Sequence, residues 1–213
     1  MPQKPSHPDG HGVVAVIMLA ALLTVATGCT NTDIDRATTT STTTAAPLVP
    51  SGLTWRSWQG IELPVATQGP RLIEGAVATD FDRSPAGAAL AAIHATVRMS
   101  LAPDGQWPQV GQRMLAPGPG RDKWATARAQ VSITAPATES VPNILGYILT
   151  TYTPTEARVE IYSSYTDHSV THNTATVIWA VDGWRLLLPD PATENPVTAV
   201  DSAPADMIPL LRP

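Results

Sequence analysis

The chain has 213 residues, with 13 basic and 18 acidic side chains, a net charge of −5 and one cysteine. A lone cysteine excludes an intramolecular disulfide, and eleven Arg and two Lys scattered without a cluster exclude a surface that neutralises a row of phosphates, so no nucleic-acid partner is expected. Once leader and linkers are set aside, the length leaves room for one domain with its own core.

The first element is the apolar run Val13 to Ala26, fourteen residues without a charge. As a helix it is too short for a ~30 Å hydrocarbon core, but it suits the h-region of a secretory signal, behind an n-region holding only Lys4, His7 and His11. Ala26-Thr27-Gly28-Cys29 then resembles a bacterial lipobox, in which the cysteine after the cut is thioether-linked to diacylglycerol. The alternative is a free cysteine at the end of an ordinary signal or anchor. Cleavage would remove residues 1–28, with Lys4 and Asp9, and leave 185 residues at an unchanged charge of −5. Two or more acyl chains, at ~0.8 kcal/mol per buried CH₂, would hold the rest stably. The expectation is a lipoprotein anchored through Cys29 to the extracytoplasmic face of the cell membrane, the membrane being its first partner.

Residues 29–52 read as a disordered tether. Eight of the fifteen residues from Thr30 to Thr44 are Thr, and such a segment has too little apolar surface to offset the entropy of ordering. A tract of Ser, Thr and Pro is also a candidate for O-glycosylation. The folded domain is expected over 53–190. Its start is irregular, with Ile61-Glu62-Leu63-Pro64-Val65 alternating like a short strand that Pro64 confines to an edge. Trp55 and Trp58 there suit either core cover or a ligand platform.

The clearest helix follows. Ser84 is a good N-cap, Pro85 fits the first helical position, and Ala86, Ala89, Leu90, Ile93, Val97 and Leu101 fall along one stripe until Pro103 ends it. His94 and Arg98, four apart, could share a face, and a partly exposed helix surface explains them at least as well as a binding site. Residues 102–122 are rich in Pro and Gly and read as loop with one turn around Val110 to Leu115; Pro117-Gly118-Pro119-Gly120 lacks the Gly-Lys-Ser/Thr of a phosphate cradle. Residues 122–134 alternate with period two, yet Asp122 is a plausible cap and the first half is made of helix formers, which favours helix to about Val131. From Ile144 onward four segments are rich in β-branched and aromatic residues, and Asp182-Gly183 as the two central turn residues predicts a tight terminal hairpin in which Val181 faces Trp184, with Trp179 and Trp184 near each other. Residues 191–213 read as a Pro-rich tail, extended or disordered, whose Ile208, Leu210 and Leu211 tuck against the domain.

Three motifs carry a resemblance. Ser84 to Ala92 (Ser-Pro-Ala-Gly-Ala-Ala-Leu-Ala-Ala), Pro117 to Asp122 and the terminal Val177 to Pro189 segment are similar to an uncharacterised actinobacterial family of exported proteins, often encoded near mobile or conjugative elements. The layout resembles the nuclear transport factor 2-like fold. What that implies is an α+β domain, cone-like helices packed on a curved antiparallel sheet, of the kind used by periplasmic domains of conjugation and type IV secretion proteins. The shared motifs are structural and bring no catalytic residue.

Chemistry-bearing candidates are few, and no enzyme is expected. His168 and His172, with Asp167, Ser169 and Thr171, have metal-ligand spacing only if helical, whereas the segment reads as a turn without a third ligand. No Gly-x-Ser-x-Gly elbow occurs. Asp80 and Asp82 fit helix-entry charge more simply than a general acid and base. No cofactor or metal is expected. The expected function is a non-catalytic interaction module of the cell envelope with a protein partner, which the resemblance places beside a conjugative or type IV-like secretion assembly. The alternative is a carrier of a small apolar ligand in the cone cavity. A cone filled by side chains favours the first, and an open cavity with converging polar groups the second.

Overall fold

The structure is a computed structural model that describes residues 46–190 and 197–212. The leader 1–28, the lipidation site Cys29 and the tether as far as residue 45 lie outside the described residues.

Among the described residues, ten strands and three helices follow one another. Two short hairpins come first. β1 (Thr54–Trp58) and β2 (Ile61–Val65) pair antiparallel around Gln59 and Gly60, whose φ values of 50° and 82° are those a type I′ turn demands. β3 (Leu72–Glu74) and β4 (Val77–Thr79) pair around Gly75, at φ 57°. α1 (Pro85–Leu101) starts as expected: Ser84 accepts a hydrogen bond from the Gly87 N–H at 3.1 Å, and Pro85 opens the first turn. α2 (Trp107–Arg113) and α3 (Pro119–Arg128) are single short helices.

The main sheet is antiparallel, in the order β10 (Ile208–Pro209), β5 (Asn143–Tyr152), β6 (Glu156–Ser164), β7 (Val170–Ala180), β8 (Gly183–Leu187), with β9 (Val197–Val200) also on β7. β8 pairs with 176–180 of β7 and β9 with 170–173, so two strands share one edge of β7 end to end. Residues 197–200 and 208–209 of the tail thus belong to the sheet. Leu210 is buried there, whereas Leu211 is exposed.

α1 lies between this sheet and the two hairpins with α2, touching β5 to β8 on one side and β2, β4 and α2 on the other. Being mostly alanine, its first half is buried all round from Ala88 to Ala95, not along one stripe. Gly87 permits the closest approach: a Cβ there would stand 2.2 Å from the Asp82 carbonyl oxygen, which itself accepts a hydrogen bond from Trp184 Nε1 at 2.9 Å.

Three expectations are corrected. The fold is mostly β, ten strands in antiparallel sheets against three helices, and not the α+β nuclear transport factor 2-like cone of helices on a curved sheet. The reason lies in 54–79, where paired Gly-containing turns make hairpins and one alanine-rich helix takes the place of a helical layer. The terminal hairpin is displaced by one residue: Ala180 faces Gly183 and Trp179 faces Trp184, leaving Val181 and Asp182 in the loop. Val181 takes φ 59° with 91% of its surface exposed. The ambiguous 122–134 segment is helix to Arg128 only. Arg128, buried, then bonds the carbonyls of Ala102 (2.6 Å) and Val131, which turns the chain away.

Candidate functional site

The polar centre of the core is a helix pair. His94 is fully buried and Arg98 is 2% exposed. Arg98 Nε can only donate, and it does so to His94 Nδ1 at 3.3 Å, so the ring carries its proton on Nε2 and donates to the Pro64 carbonyl at 2.8 Å. Arg98 also donates to the Gly75 carbonyl at 3.2 Å and lies over the Trp58 ring at 4.7 Å. Burial, reinforced by the Arg98 charge and opposed by Pro64, pushes the His94 pKa down to about 3. Burial lowers Arg98 to about 10, which leaves it charged at neutral pH. The pair joins α1 to both hairpins, and the partly exposed face expected for it does not occur.

Two concavities border this core. The first, of about 220 Å³, lies between the C-terminal half of α1, at Ile93, Val97 and Leu101, and the sheet residues Ile144 and Ile161. Its wall is largely apolar, with Thr96, Ser100, Ser163, Tyr165, Thr171 and Asn173 as polar groups. The second, of about 320 Å³, is a cleft where the β3–β4 hairpin, the end of α2 and the β7–β8 hairpin meet. It has Leu72, Phe81 and Trp184 along it, with two acids, Asp80 and Asp182, and two bases, Arg113 and Arg185.

The candidates from sequence are mostly not brought together. Asp80 and Asp82 both pair with Arg71, at 3.5 and 2.5 Å, and neither falls in the first turn of α1. Asp167 accepts from Ser169 Oγ (2.6 Å) and its N–H (3.0 Å), bonds that hold its carboxyl below the usual carboxylate range and close the β6–β7 turn. His168 sits in that turn, whereas His172 lies within β7, stacked on Tyr162 at 5.9 Å. Among the described residues no group of three or more His, Cys, Asp or Glu is placed to hold a metal. Trp55 and Trp58 are each covered by a guanidinium, from Arg212 and Arg98, both at 4.7 Å. The Pro/Gly stretch becomes the start of α3, with Gly120 set so closely against the Leu188 carbonyl that a Cβ would stand 2.4 Å from it.

Sequence reasoning missed the second cleft because its walls come from residues 72 to 185. The available signals were Asp80, beside the helix start, and the hairpin turn that carries Asp182.

No curated protein and no solved structure matches this chain. A family model does match, over residues 24–205, from inside the apolar run that precedes Cys29 to the segment between β9 and β10. Its description is a domain of unknown function, so it assigns no activity, ligand or location. On that match, which covers most of the sequence, the chain belongs to the DUF8175 family.

Proposed function

We propose that this protein is a lipid-anchored lipoprotein of the cell envelope whose folded region is a non-catalytic interaction module. The observation that carries the reading is the uncharged run Val13 to Ala26 ending in Ala26-Thr27-Gly28-Cys29, with Cys29 the only cysteine in the chain. The core supports the non-catalytic part: its buried titratable pair, His94 and Arg98, is fully engaged in holding α1 to the hairpins. The conjugative or type IV-like setting leaned on the cone-shaped fold and loses that support. Detergent phase separation tests the anchor. Wild-type protein is expected in the detergent phase and Cys29→Ala in the aqueous phase; equal partitioning of the two overturns the lipoprotein reading.

The cavity of about 220 Å³ between α1 and the sheet favours a second reading, a carrier of a small apolar molecule. An apolar cavity of ~150 Å³ accepts a benzene ring, so this one has room for a single-ring or short-chain ligand. Native mass spectrometry of protein extracted from its own cells should then show a bound small molecule that Ile161→Trp, filling the cavity, removes. Protein that carries none, and whose melting is unmoved by benzene or short fatty acids, argues against the carrier.

A further inference from the structure

The core-facing positions of two neighbouring strands change character along their length. On β6, Ala157, Val159 and Ile161 are buried against the core, and the next position on that face is Ser163. On β7, Val177 and Ala175 are buried, and the next two positions on their face are Asn173 and Thr171. The register sets Ser163 opposite Thr171 and Ile161 opposite Asn173, so the three polar side chains stand together on the side of the sheet that α1 covers. Alternation alone calls for apolar residues at these positions. Among the described residues, none of the three side chains has a hydrogen-bond partner in the protein. All three line the cavity of about 220 Å³ beside Val97 and Leu101.

That cavity has two unlike ends. Ile61, Ile93, Ile144 and Ile161, each at most 5% exposed, form the inner one. Val197, which pairs with Asn173 and is 41% exposed, marks the outer one, with the polar side chains beside it. Among the described residues that line the cavity none carries a charge. Its helical wall is the C-terminal part of α1, where the partial charge of the last carbonyls is negative. A carboxylate or phosphate head would meet that end without a cation to pair with, and an ammonium would find no carboxylate. Burying either charge costs more than a neutral hydrogen bond returns.

We propose, resting on the carrier reading, that this cavity takes an uncharged molecule with an apolar body of one ring or a short chain and a hydroxyl or amide head. The body lies on the isoleucines of the inner end. The head exchanges hydrogen bonds with the Asn173 carboxamide, which both donates and accepts, and with the Ser163 and Thr171 hydroxyls.

Four probes of similar shape test it on the full chain in detergent micelles: toluene, benzyl alcohol, benzoate and benzylamine, with free probe fixed by equilibrium dialysis. Binding is followed by NMR at the main-chain N–H signals of Ser163, Thr171 and Asn173. Benzyl alcohol should bind about fivefold more tightly than toluene, and benzoate and protonated benzylamine at least about tenfold more weakly than the alcohol. Asn173→Leu, similar in volume, should bring the alcohol down to the level of toluene, and Ser163→Ala, which deletes one hydroxyl, should do so in part. Toluene binding as well as the alcohol, a charged probe binding best, or an alcohol preference that survives both substitutions overturns the proposal while leaving a carrier standing. No response of these signals to any of the four probes overturns the carrier reading with it.

Discussion

The buried His94 ring makes stability depend on acid in a particular window. Neutral imidazole is the form the fold accepts, since Nδ1 must receive the Arg98 N–H and burial leaves a second charge without solvent. The unfolded chain, with its histidine at the ordinary 6.5, takes up a proton first as pH falls, whereas the folded protein resists down to about 3. The stabilisation is therefore complete above pH 6.5 and is lost as pH drops, by up to ~1.4 kcal/mol per pH unit. By pH 4.5 the loss is ~2.7 kcal/mol, and over the whole interval ~5 kcal/mol, comparable to the entire stability of many domains. Asp104, held low by Ser132 Oγ and the Ile133 N–H, and Asp167, held low by Ser169, lose their contributions only below the usual carboxylate range, so pH 6.5 to 4.5 isolates the histidine. Urea unfolding at half-unit pH steps measures the slope directly. His94→Asn keeps an acceptor near Arg98 but does not titrate; it should be less stable at pH 7 and nearly flat over this window. A variant whose slope equals that of the wild type, or an NMR titration placing the His94 ring near 6.5, refutes the reasoning.

Three further substitutions probe the packing. Val181→Gly removes an L side chain from φ 59° at a site with nothing packed on it; relief of ~1–2 kcal/mol of strain, less the entropy of the new glycine, should raise stability by about 0.5–1 kcal/mol in urea unfolding, and a loss would mean the valine is held by contacts. Trp184→Ala deletes a buried ring that meets Trp179 edge-on at 5.3 Å and should cost ~3–5 kcal/mol; an unaltered melting curve would place that ring outside the core. Gly87→Ala sets a methyl 2.2 Å from the Asp82 carbonyl, so α1 must back away, at ~3 kcal/mol or more, with the Trp184 indole N–H losing its partner as a shifted NMR signal; an unmoved signal would show that the loop yields instead.

What was legible in the sequence was local. Ser84 and Pro85 fixed the start of α1 to the residue because capping depends on neighbours three positions apart. The terminal hairpin was found but misregistered by one, since Asp-Gly normally occupies the loop, whereas the Trp179–Trp184 pairing sets the register here and leaves Val181 strained. The true two-residue left-handed turn, Gln59-Gly60, joined strands whose mixed tryptophan spacing hid them, and β3 and β4, three residues each, are too short to show a period. His94 and Arg98 were misplaced on the surface because a polar pair among alanines looks like a solvated face until packing on both sides of the helix is known. The cleft beside β8 could not be read at all, because its walls come from 72–81, from Arg113 and from 182–185, segments far apart in sequence.

The two strands that come last in chain order sit on opposite margins of the sheet, β10 against β5 and β9 against β7. Residues 197–200 thus cover the β7 edge at 170–173, and residues 208–209 cover the β5 edge at 146–147, positions whose main-chain groups would otherwise be left unpaired. A chain interrupted after β8 would carry open edges on both margins of the sheet, the feature through which unpaired strands of separate molecules join edge to edge.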